Sequence, residues 1–169
     1  MLHDCLPLLT PALKIAAAGL LVMAATRDIM TRTVPNWMPL ALAGVGTMLA
    51  TADDRLAWGL GFGLIVFVLC VVCWKRGWMG GADVKLLGAA AIAIGPSDAE
   101  TFLVAVSLFG GLLALVYLAG RFVMPRPAGK RPNRMLPRVL RIEAWRIRHR
   151  GPLPYACAIA AGSLFVLIK

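Results

Sequence analysis

Residues 56–74 form an apolar run with no charged residue, closed by Lys75 and Arg76. A helix crossing the hydrocarbon of a bilayer needs about 20 mostly apolar residues, so this run reads as a membrane span. Trp74 and Trp78 flank the basic pair and suit the interface, where indole rings sit at headgroup level.

The pattern recurs along the chain. Hydrophobic residues make up 60% of the 169, and the mean hydropathy of +0.78 is too high for an ordinary soluble domain. The expectation is a single all-α domain over 1–169, a polytopic membrane protein with about six transmembrane helices. The expected spans are 8–25, 35–50, 56–74, 83–95, 99–120 and 154–168. Pro35 suits the first turn of the second span, where its missing N–H would be unpaired anyway. Asp53-Asp54-Arg55 closes that span. Lys14 is expected to snorkel outward from the first. No basic region followed by a small-residue cleavage site opens the chain, so the first run reads as a retained span.

The net charge of +10 is carried by the connectors, where the positive-inside rule accounts for it without nucleic acid. With both termini periplasmic, the cytoplasmic side takes Arg27, Arg32, Lys75, Arg76, Lys85 and a basic loop over 121–153. Lys14, Arg55 and Lys169 fall opposite. Within the loop, Pro125, Pro127, Pro132 and Pro137 suggest an extended first half. Residues 138–148 have the pattern of a basic amphipathic turn or two lying on anionic lipid.

Two carboxylates border the apolar runs on that cytoplasmic side: Asp28 after the first span and Asp83 in Met79-Gly80-Gly81-Ala82-Asp83-Val84-Lys85. An ionisable group near membrane depth costs at least about 2.5 kcal/mol, which makes it a functional candidate. Two carboxyls sharing one site hold a proton between them and act as acid and base together. One draws a proton from water attacking a peptide carbonyl while the other protonates the carbonyl oxygen. Gly80 and Gly81 would let backbone approach closely. The plainer alternative makes Asp83 a helix-opening residue favoured by the dipole and Asp28 a solvated loop residue.

The surroundings of these residues resemble the type IV prepilin leader peptidases, a family of intramembrane aspartic proteases. Asp28 precedes Arg32 and Val34-Pro35-Asn36, as the first catalytic aspartate of that family precedes a basic or polar stretch ending in aliphatic-Pro-Asn. Gly80-Gly81-Ala82-Asp83-Val84-Lys85-Leu86-Leu87 resembles the Gly-x-Gly-Asp-x-Lys-Leu-Leu around the second, with Ala82 in place of the second Gly. Leu153-Pro154-Tyr155-Ala156 is similar to the family's closing segment, so the likeness covers nearly the whole chain. It implies Asp28 and Asp83 as the catalytic pair, with no metal or organic cofactor. The implied substrate is a prepilin-like protein with a basic leader and an apolar helix, cut at the cytoplasmic face of a bacterial inner membrane. Long members carry an N-terminal region with two Cys-x-x-Cys pairs and also methylate the new N-terminus. This chain looks like the short, peptidase-only branch associated with Flp-type pili.

Around that pair, Lys85 reads either as an ammonium that biases the carboxylate and holds substrate or as a snorkelling lysine. Asn36 reads as a helix entry or as a hydrogen-bond partner near the site. Cys70 and Cys73 have Cys-x-x-Cys spacing inside a span with no second pair to complete a zinc site, and Cys5 and Cys157 stand alone; all four read as small packing residues. His3 and His149 fall on opposite sides and read as solvated. Gly110-Gly111 reads as a close helix contact. Two other function classes stay open: a proton-coupled transporter, disfavoured because no acid lies mid-span, and a non-catalytic subunit of a pilus or secretion machine.

Overall fold

The structure is a computed structural model that describes residues 2–123, 135–148, 151 and 153–169. Its helices in chain order are α1 (Leu2–Thr31), α2 (Trp37–Ala52), α3 (Leu56–Lys75), α4 (Gly81–Ile94), α5 (Ala99–Val123), α6 (Met135–Arg148) and α7 (Tyr155–Leu167), with one 3₁₀ turn, Pro96–Asp98, before α5. Six are apolar; α6 is amphipathic and basic.

Among the described residues three stretches are long and apolar enough to cross a membrane: Leu9–Thr31, Leu56–Lys75 and Pro96–Val123. The apolar helices α2 and α7 are shorter, and so is α4 at 14 residues, about 21 Å at 1.5 Å per residue. The chain is therefore a multi-pass membrane protein in which long helices surround short ones. The shortest segments sit at the centre: α4 packs against α2, α3 and α7, and most of its side chains are buried. Its Ala-rich sequence explains this placement, because small residues let helix backbones approach closely where lipid offers no hydrophobic drive. Glycines do the same at the contacts. A Cβ on Gly46 would lie 2.8 Å from the backbone nitrogen of Ala93, and one on Gly162 would lie 2.7 Å from that of Val106.

The helix ends differ from the sequence expectation in two places. First, α1 continues past Ala25 to Thr31, so Asp28 is a helical residue and is buried, not a solvated loop residue. No breaker stands between Ala25 and Thr31; the helix ends where β-branched Thr33 and Val34 precede Pro35, which disfavours the helical region for the residue before it. Second, Pro137 lies inside α6, in the first turn, where proline is tolerated. The amphipathic piece is consequently a helix of 14 residues. Exposed Lys14 lines a small polar cleft with Asp53, Arg55 and Asp98. Pro125, Pro127, Pro132 and His149 lie outside the described residues, as do the side chains of His3 and Cys5.

Charges separate between the two ends of the bundle. At one end Arg55 donates to the carbonyl of Ala93 at 2.7 Å and to Asp53 at 3.1 Å, tying the start of α3 to the end of α4. The other end gathers the close of α1, α3 and α5 with the start of α2, α4 and α7. Lys85 on α4 donates to Asn36 Oδ1 before α2 at 2.9 Å, and a Cβ on Gly81 would meet the Trp74 indole nitrogen of α3 at 3.3 Å.

Candidate active site

Asp83 is the third residue of α4, and the helix is capped by Gly80 in an extended conformation (φ −71°, ψ 142°). From that position the carboxylate folds back over the helix start, beside the backbone of Gly80, where the unpaired amides of a helix N-terminus favour negative charge. A Cβ at Gly80 would stand 2.9 Å from Asp83 Oδ2, so a side chain there would push the carboxylate aside. Ala82 has no left-handed backbone and belongs to the first turn of α4. An alanine therefore fits where the resembling motif has glycine.

Asp28 approaches from the last turn of α1. Its Oδ2 accepts the backbone N–H of Ala156 at 3.2 Å, the second residue of α7. A carboxylate at that position meets both a free amide and the positive end of the helix dipole. Pro154 caps α7 and is fully buried, fixing where the helix begins. The Leu153-Pro154-Tyr155-Ala156 segment thus supplies the amide that anchors Asp28, a tertiary role that no sequence pattern reveals.

The two carboxylates share one site: the charge of Asp28 acts on Asp83. Tyr155 feels Asp83, Cys157 feels Asp28, and the Cys157 thiol donates to the carbonyl of Ala25 at 3.6 Å. Cys157 is therefore a packing residue in contact with α1, beside the site and not remote from it. Cys70 packs against the core of the bundle. Gly110 is buried with the Tyr155 ring 3.1 Å from where its Cβ would be, whereas Gly111 has open space around it. Only the first glycine of that pair makes the expected close contact.

Lys85 and Asn36 pair with each other. The influences on Asp83 are burial, Asp28 and Gly80, so the lysine's contact is to α2 and its effect on the carboxylate is indirect. Gly81, the first residue of α4, faces Trp74.

A second polar cluster adjoins Asp28 and carries no sequence signature. Arg32 ends α1 in the left-handed region, φ 55°, a conformation that costs a non-glycine residue about 1 kcal/mol or more. Its backbone N–H closes the helix on Asp28 O at 2.9 Å. The guanidinium donates to Tyr117 Oη at 3.1 Å and to Glu143 of α6. Glu143 also accepts from the Tyr117 hydroxyl and from Arg146 Nη1 at 3.0 Å. Glu143 is the one acidic residue in a strongly basic segment, and a single residue carries no periodicity or motif.

No curated protein and no solved structure matches the chain significantly. The profile of the type IV leader peptidase family matches residues 15–115, more than half of the 169. That stretch holds both carboxylates, while α6 and α7 lie beyond it. With this match over a multi-pass helical bundle that carries a buried Asp28 and a half-buried Asp83, the chain belongs to the type IV leader peptidase family.

Proposed function

We propose that this protein is an intramembrane aspartic endopeptidase that removes the basic leader of Flp-type prepilins at the cytoplasmic face of the bacterial inner membrane. The observation that carries the reading is the meeting of Asp28, held by the Ala156 amide, and Asp83, at the start of α4, close enough for the charge of one to act on the other. The pair works as a unit. One carboxylate takes a proton from the attacking water, the other gives its proton to the carbonyl oxygen, and the roles reverse as the tetrahedral intermediate releases the amine. Position supports the same chemistry, because both groups lie at the end of the bundle that gathers the basic residues, where water reaches the site. The substrate's apolar helix lies against the spans and unwinds locally, since a helical peptide bond is shielded from attack. Gly80, Gly81, Lys85 and Asn36 support the site by shaping the start of α4 and joining it to α2. Anionic lipid is the partner of the basic face of α6.

The test is the mass of the product. Purified protein in liposomes is incubated with a Flp-type prepilin and a methyl donor, and the new N-terminus is read by mass spectrometry. Cleavage just after a glycine, ahead of the apolar helix and with no added methyl group, is expected. A methylated product would overturn the peptidase-only assignment, and an uncut prepilin would overturn the substrate.

A further inference from the structure

We propose that Glu143 is a positioning residue for the peptidase: through Arg32, Arg146 and Tyr117 it straps α6 across the end of α1 and thereby fixes the turn that presents Asp28. The inference rests on the reading of Asp28 and Asp83 as the catalytic pair, and extends it to a helix outside the family match.

The strap has two anchors on α1. Arg146 Nη1 donates to the carbonyl of Ile29, the residue after Asp28, at 2.9 Å, occupying one of the last carbonyls that the helix leaves unpaired. Arg32, one turn beyond Asp28, reaches Glu143 from the other side. The Glu143 carboxylate sits between the two guanidiniums, with Oε2 on Arg146 and Oε1 on Arg32 and Tyr117. It is largely buried, at 14% side-chain exposure. Tyr117 adds α5 to the assembly, so three helices meet on one carboxylate. Removing it strands two cations, and Arg32 already has Nε and Nη1 buried without partners among the described residues. A half-satisfied buried network rearranges when its central acceptor is lost. The part that moves is the left-handed turn at Arg32, directly below Asp28. The charges of Arg32, Glu143 and Arg146 all reach Asp28, so the cluster is close enough to act on it.

Positioning and substrate binding make different kinetic demands. A group that only aligns the carboxylate changes kcat, whereas one that grips substrate changes KM. Glu143→Ala, compared at equal membrane level and equal thermal midpoint, is expected to lower kcat by about tenfold to a hundredfold with KM unchanged. Glu143→Asp is expected to recover only part of the rate. The double variant Arg32→Ala/Glu143→Ala is expected to be no slower than the slower single variant, because both changes break one unit. If Glu143→Ala lowers the membrane level, Glu143→Gln takes its place, keeping an acceptor while losing the charge. Hydrogen exchange gives a readout free of substrate: amides of 29–33 should exchange faster in the variant and those of 86–90 should not. Parent kcat in the variant, a rise in KM alone, or unchanged exchange at 29–33 would overturn the strap. Asp28→Asn run alongside separates the two claims. An active Asp28→Asn overturns the catalytic pair, whereas an inactive one beside a fully active Glu143→Ala overturns the positioning role alone.

Discussion

The backbone amide of Ala156 donates to Asp28 at 3.2 Å, joining residues 128 positions apart and setting the end of α1 against the start of α7. Asp83 stands against the backbone of Gly80, its Oδ2 2.9 Å from where a Cβ on that glycine would lie. The amide on Asp28 restricts its side chain without neutralising it.

Gly80→Ala tests the placement of Asp83. The backbone at Gly80 is open to alanine, so the stability cost is that of a poorer N-cap, about 1 kcal/mol. The added Cβ displaces the carboxylate it would otherwise touch. A fall in kcat of about tenfold or more, with the melting midpoint in detergent lowered by only about 2–4 °C, is the expected result. Fluorescence-detected melting and prepilin cleavage on the same preparation check it.

The start of α7 is tested through its packing. Gly110→Val forces the Tyr155 ring aside, whereas Gly111→Val enters open space. Overpacking of this kind costs about 1–3 kcal/mol. Because Tyr155 precedes Ala156, the Gly110 variant should lose cleavage as well as stability, and the Gly111 variant should keep both. Equal behaviour of the two in a cleavage and melting assay would count against the anchor on Asp28.

At the opposite end, Gly95 has φ 80° and ψ 175°, a region essentially reserved for glycine. Gly95→Ala is expected to cost about 1–3 kcal/mol, added to by contact with the Arg55 guanidinium beside it. The effect should appear in the melting midpoint and leave kcat near that of the parent at a permissive temperature, since this turn closes the far end of α4.

How much of this was legible in the sequence follows from what each feature depends on. Charged residues in an apolar chain are conspicuous, so Asp28 and Asp83 stood out and their placement at one end followed from counting helices. The breaks at Asp53-Asp54 and Gly95-Pro96 were visible because they are local chemistry. The true end of α1 was not, because Arg27 and Asp28 look like a loop by charge while nothing in them prevents a helix. The shortness and alanine content of residues 83–95 were visible too, but hydropathy does not tell a spanning helix from a buried one, so the central place of α4 was not. The anchoring amide of Ala156 and the Glu143 cluster depend on pairings across more than a hundred residues, and no local pattern encodes them.

The most direct test of the central claim is cleavage of a co-expressed Flp-type prepilin by the parent and by Asp28→Asn and Asp83→Asn, at matched membrane levels, read as a gel shift. Both variants should fold, since asparagine matches aspartate in size and keeps an acceptor oxygen, as for the Ala156 amide at Asp28, and both should leave the prepilin uncut while the parent removes its leader. Cleavage by either variant at the parent rate would contradict the paired-carboxylate account.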